Sequence, residues 1–307
     1  MITLTTPRNL QADIAFIGGS GTFSIRFPED LNTPGIDVIA DGLVVDTPFG
    51  PSPQLKIFAL PGSPARRVIT CKMHGRQPGV PWGQASQRLF WAFRAAGVRQ
   101  IIAEGGVGSI NHLLDPKDIV VVNDYIDQSL RKDVSLGEGY LLMMRQAICP
   151  DLHHALVQTA RQHWQPSFTQ GAGRVFDRGI YLVTEGRHFE SPAEIAAFRM
   201  MGADVVGQTL CPEVYLAREL GACFAGIYLV VNYGEGVVKP WDHQVLKDLF
   251  FEEAYPFARL ILAALEQLPV PGQCGCQDLR KPTMLKPENI GAGTVPATVK
   301  EASPVEN

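Results

Sequence analysis

Short apolar runs alternate along this chain with polar, glycine-bearing connections and with stretches of helical period, the pattern of an α/β fold. Residues 14–17 (IAFI) read as a buried strand that runs into Gly18, Gly19, Ser20 and Gly21. Glycine lets backbone N–H groups approach a ligand, so GGSG is a candidate oxyanion cradle, with a plain tight turn as the alternative. Within residues 44–60, DTPFGPSP is a turn-rich link to QLKIFAL, and RVITCK at 67–72 follows as a second strand, predicting an antiparallel hairpin that feeds the loop HGRQ at 74–77. In residues 84–96, Leu89, Phe90, Phe93 and Ala96 share one helical face and Gly97 ends the helix.

Beyond this helix, strands are predicted at 100–103, 119–122, 181–183, 205–206 and 223–231, with a glycine-rich loop, EGGVGS, at 104–109. Helices are predicted at 151–164, at 192–201 with Pro192 in the first turn, and as one long closing element over 241–268. From residue 269 the chain is rich in Pro, Gly and small polar residues and loses its period. The expectation is therefore one domain over 1–268, a mixed twisted sheet flanked by helices with the site at strand ends, and a tail over 269–307.

The 307 residues, 46% of them hydrophobic, suffice for a large core. A net charge of −4 gives no electrostatic ground for a nucleic acid or an anionic membrane as partner and leaves a small molecule as the expected one. No apolar run approaches the roughly 20 residues of a membrane-spanning helix. The segment MITLTTPRNLQADIAF lacks the basic region and apolar core of a signal peptide, so a cytoplasmic location is expected. Of the six cysteines, Cys71, Cys149, Cys211 and Cys223 lie in or beside apolar stretches, as buried, reduced thiols do. Cys274 and Cys276 form a CGC pair, but two ligands are too few for a structural zinc site; no metal is expected, and the pair reads as surface thiols or a strained disulfide.

Residues 181–232 pack strand, loop, helix, strand, loop, helix and strand into one stretch, so that successive strand ends converge on one pocket. Its segments TEGRHFESPAEI, GADVVGQT and PEVYLARELG, with GGSG at 18–21 and HGRQ at 74–77, resemble the trimeric purine nucleoside phosphorylase family, on the methylthioadenosine phosphorylase-like branch. The resemblance runs in order from about Ile14 to about Leu268. It implies a nucleoside phosphorylase-like fold, a purine nucleoside as substrate, phosphate as co-substrate with no other cofactor, and a homotrimer whose sites borrow residues from a neighbour. Some members carry a CxC near the C-terminus, which implies a stabilising disulfide at Cys274 and Cys276.

Cleaving a purine N-glycosidic bond builds positive charge on the ribose and negative charge on the departing base, so a nucleophile is needed below the sugar and a donor at the base. By the resemblance, Gly19, Ser20, His74 and Thr209 hold phosphate, and Glu185, Phe189, Gln208 and Asn232 contact the nucleoside. Asn232 stands where family members that act on 6-oxopurines carry asparagine, whose amide donates to O6 and accepts from N1–H; Gly234 replaces the second aspartate of the adenine-specific pattern. Several positions depart from the family, among them Gln208 in place of a methionine and Gly186-Arg187-His188 in place of Gly-Pro-Arg. Met73 stands in place of an arginine, and Glu104 in place of a hydroxyl-bearing residue. A carboxylate about 4 Å from phosphate costs roughly 1 to 4 kcal/mol. Glu104 either serves as a general base that activates water, or turns outward, or pairs with Arg76. The leading expectation is phosphorolysis of a 6-oxopurine nucleoside through Asn232, His74, Ser20 and Thr209. The alternatives are a hydrolase with Glu104 as base, or a nucleoside-binding protein without catalysis.

Overall fold

In the computed structural model, residues 10–62, 66–166, 173–272 and 274–283 are described. The N-terminal half contributes β1 (Ile14–Ile17), β2 (Asp37–Leu43), the short β3 (Asp46–Thr47) and β4 (Gly50–Pro51), β5 (Leu55–Ala59), β6 (Arg67–Cys71), α1 (Trp82–Ala96) and β7 (Gln100–Ser109). Then follow β8 (Ile119–Val121), β9 (Asp124–Asp127), β10 (Tyr140–Leu142), α2 (Pro150–His163), β11 (Val175–Phe176), β12 (Ile180–Val183), α3 (Pro192–Met200) and β13 (Val205–Gly207). The chain closes with α4 (Leu210–Leu220), β14 (Cys223–Tyr233), α5 (His243–Glu252), α6 (Ala254–Gln267) and β15 (Arg280–Pro282).

Eleven strands form one mixed sheet in the order β11-β8-β14-β7-β1-β6-β5-β2, with β13 joined to β7, β12 to β13 and β9 to β12. The runs that sequence marks as uniformly apolar lie at its centre, where both faces are covered: β1 and β14 are buried at every position. Strands β5 and β6 pair antiparallel and deliver the chain to His74, as the hairpin reading anticipates. Helix α1 ends at Gly97, whose φ of 82° is the left-handed C-cap conformation that glycine adopts without strain.

Three expectations are corrected. The stretch 104–109 is not a loop: β7 continues through it to Ser109, paired with β14 along its length and with β13 at Gly108 and Ser109. The single closing helix is two, broken at Glu253, whose carboxylate is fully buried against Lys117 at 2.8 Å. Within the segment read as tail, Cys276–Leu279 form a 3-10 turn and β15 pairs with β10; the remainder of that reading, 284–307, lies outside the described residues. Cys274 and Cys276 are free thiols, and Cys276 is buried. Among the described residues, no helix is long and apolar enough to cross a membrane.

Candidate active site

The ends of β7, β13 and β14, the GGSG and HGRQ turns, the 187–190 loop and α5 enclose a cavity of about 370 Å³. Ser20, His74, Phe189, Gln208, Thr209 and Asn232 all line it. Strand β7 forms its floor, and its glycines explain how other chains come so close. A Cβ on Gly106 would lie 2.7 Å from the Phe250 ring and 3.1 Å from Ser20 Oγ; one on Gly108 would lie 3.6 Å from Asn232 Nδ2. Gly106 and Gly108 share a face of the strand, so the Ser20 and Asn232 contacts are offset by about 7 Å, two residues of strand rise. A bulge in β14 between Val230 and Asn232 sets Asn232 opposite Gly108.

At the Ser20 end the groups are hydrogen-bond donors. Ser20 Oγ accepts from the Gly106 N–H at 2.8 Å, which leaves its own proton for the cavity. His74 sits in a left-handed conformation, with φ 55°, and its Nδ1 lies 2.8 Å from Glu213 Oε1. This pairing turns Nε2 toward the glycine turn: a Cβ on Gly19 would fall 2.5 Å from that nitrogen. Burial opposes charge on His74, but the charge and hydrogen bond of Glu213 and the charge of Glu104 outweigh it, and its pKa is raised above 6.5. Thr209 Oγ1 lies 3.3 Å from the Tyr181 hydroxyl. Arg76 and Arg187 add two cations to the cavity wall.

The glycine turn itself is already satisfied, and from within. Glu104 is fully buried, and its carboxylate accepts from Gly19 N (2.5 Å), Gly21 N (3.1 Å), Thr22 N (3.1 Å) and Thr22 Oγ1 (2.8 Å). The oxyanion in this cradle is the protein's own. Burial raises the Glu104 pKa, opposed by the Thr22 hydroxyl, the His74 charge and the Gly19 and Gly21 amides. Two assignments are thereby corrected. Glu104 does not line the cavity, and with four donors around it, it is neither poised as a base for water nor paired with Arg76. Gly19 also lies off the cavity wall, because its N–H is engaged by Glu104.

Glu185 is displaced as well. It is partly exposed, accepts from Leu130 N at 2.8 Å and lies 3.4 Å from Arg131 Nε, outside the cavity lining. Met73 does line the cavity, and Lys72 turns away to the Ile25 carbonyl at 2.8 Å.

Sequence reasoning missed Glu213 and Arg131. Glu213 is buried in the first turn of α4, and its Oε2 finds no hydrogen-bond partner among the described residues. A glutamate in PEVYLARELG gives no sign that it meets a histidine 139 positions earlier. Arg131 donates to the carbonyls of Gln208 (3.0 Å) and Thr184 (2.7 Å), tying together the loops that follow β13 and β12.

A family profile described as the Phosphorylase superfamily matches residues 13–266. The chain belongs to that superfamily. It is 32% identical over 284 residues to a probable 6-oxopurine nucleoside phosphorylase of Korarchaeum cryptofilum, covering 86% of this chain and 96% of that protein. It is likewise 32% identical over 273 residues to an S-methyl-5'-thioadenosine phosphorylase of Pyrococcus horikoshii, covering 87% and 97%. Among solved structures it resembles a methylthioadenosine phosphorylase from an antarctic soil metagenomic library, with a TM-score of 0.69, 24% identity and coverage of 83% of this chain and 85% of that one. That structural likeness speaks to the fold, whose mixed sheet and flanking helices the two share.

Proposed function

We propose that this phosphorylase-superfamily member cleaves the N-glycosidic bond of a 6-oxopurine nucleoside by transfer of the ribosyl group to phosphate. One observation carries the reading: anion donors (Ser20, His74, Thr209) and a base reader (Asn232) share a single cavity along one glycine-bearing strand. Phosphate is held by the Ser20 and Thr209 hydroxyls and the His74 imidazolium, with Arg76 supplying the cation that Met73 does not. The glycine amides take no part, since Glu104 occupies them. As the base departs, the Asn232 amide donates to O6 and accepts from N1–H, stabilising the charge that develops there. At Gly234 a Cβ would meet the Ser109 carbonyl at 3.0 Å and Ile195 at 3.1 Å, so a second aspartate of the adenine-reading kind would have to push these neighbours aside. Relatives named for 6-oxopurine nucleosides support this base preference, and those named for S-methyl-5'-thioadenosine leave room for a 5'-modified ribose.

The internal carboxylate in the glycine turn favours a second reading, in which water replaces phosphate. Glu104 is then not its base; His74, oriented by Glu213, is the basic group facing the cavity. The deciding assay is release of base from inosine, guanosine, adenosine and their 5'-methylthio analogues, with and without phosphate, for the wild type and Glu104→Thr. The proposal expects release only with phosphate, fastest from 6-oxopurines. Release that is independent of phosphate establishes the second reading, and no release from any nucleoside sinks both. We further propose a cytoplasmic homotrimer. Val38 and Ile39, exposed on the edge strand β2, are apolar surface that association of copies would cover. Sedimentation should give the mass of three chains, and a monomer would refute it.

A further inference from the structure

Far from the cavity, the fold gathers four cysteines that are scattered in sequence. Cys149 caps the N-terminus of α2, Cys223 opens β14, and Cys274 and Cys276 come from the segment after α6. Their four sulfur atoms all lie within 4.8 Å of one another, and Cys149, Cys223 and Cys276 are buried. The placement is built by backbone: Cys149 N donates to the Phe224 carbonyl at 2.8 Å, which holds the start of α2 beside the start of β14. Gly275, at φ +70°, turns the chain so that Cys274 and Cys276 both face that junction. The buried Arg218 grips the Cys276 carbonyl at 2.7 Å and so fixes the turn.

We infer that Cys149, Cys223, Cys274 and Cys276 bind one zinc ion, or a comparable thiophilic divalent cation, as a tetrahedral four-thiolate site. Zinc–sulfur bonds of about 2.3 Å place the sulfurs of such a tetrahedron about 3.8 Å apart, within the spread seen here. Cys223 and Cys274 have their sulfurs 3.2 Å apart, well beyond the roughly 2.05 Å of a disulfide. The site's charge is also provided for. Cys149 stands at the N-terminus of α2, where the helix dipole favours a thiolate, and Arg99 borders the small hollow around Cys223, Cys274 and Cys276. Four protonated thiols this close, most of them buried, would leave their lone pairs and weak donors poorly matched, whereas one dication satisfies all four sulfurs at once. The ion closes its own coordination sphere and stands at the opposite end of β14 from Asn232, nine residues or about 30 Å away. Its role is therefore structural: it clamps residues 274–283, including β15, to the body of the domain.

The test uses the full chain purified under reducing conditions. Elemental analysis should find about one zinc per chain, and a mercurial should expel it as it caps about four cysteine sulfurs. Cobalt substitution should produce the visible bands of tetrahedral cobalt thiolate. Cys274→Ser, at the least buried ligand, should lose the metal and unfold several degrees lower, with kcat unchanged. Cys71→Ser, away from the cluster, should keep both metal and cobalt spectrum, which separates loss of a ligand from loss of a thiol. A protein without metal whose six thiols all alkylate, an intact mass showing disulfides among these four cysteines, or zinc retained in both Cys274→Ser and Cys276→Ser overturns the inference.

Discussion

At the scale of the residue, the proposed function rests base choice on one side chain. Asn232 is buried, with one amide proton held by the Tyr233 carbonyl at 2.9 Å, so its orientation is set before substrate arrives. Asn232→Asp removes the donor to O6 and places a carboxylate against it. The kcat/KM for inosine should fall by about 100-fold, about 2.7 kcal/mol, and the ratio of adenosine to inosine turnover should rise. An unchanged ratio would remove Asn232 from base recognition. The residue scale is also where sequence reads least well: Glu104 reads as a misfit at a proposed phosphate site, and only the fold shows its carboxylate satisfied by the amides of the glycine turn.

At the scale of the element, the break between α5 and α6 separates two tasks. Helix α6 packs into the core through Phe257, Leu260 and Ile261, while α5 presents Leu246 and Phe250 to the cavity. The hinge is Glu253, whose buried carboxylate meets Lys117. Removing one partner of a buried ion pair costs about 3 kcal/mol, so Glu253→Ala should lower the thermal midpoint clearly and loosen α5, raising KM more than it lowers kcat. A variant as stable as wild type would show that the helix break does not depend on this pair. Helical spacing from Leu246 to Leu260 was legible in sequence; the break was not, because both helices keep the same apolar period across it.

At the scale of the whole molecule, three buried ionisable groups, His74 on the cavity wall with Glu104 and Glu213 behind it, tie the site to folding. His74 is the group with a clear pH signature. Its folded pKa is raised above the ordinary 6.5, so its proton stabilises the fold fully below 6.5, and that contribution is lost as pH rises through the raised value. The stability gap between wild type and His74→Gln should therefore narrow as pH is raised, and phosphate affinity should fall over the same range. Thermal melts across pH check this; a gap that stays constant from about pH 5 to about pH 9 would show that His74 titrates alike in both states.

What the sequence determined by itself is local and periodic: the strands at 14–17 and 223–231, the helix ending at Gly97, the hairpin before His74, and the motifs that mark the superfamily. Those features depend on neighbouring residues, through side-chain alternation, helical spacing and the left-handed tolerance of glycine. The tertiary structure decided the pairings between distant positions. It put Glu104 into the amides of residues 19–22, Glu213 against His74, and Cys149 and Cys223 beside Cys274 and Cys276. Each joins groups 50 or more positions apart, and their contact follows from sheet order and register, which no short stretch of sequence contains.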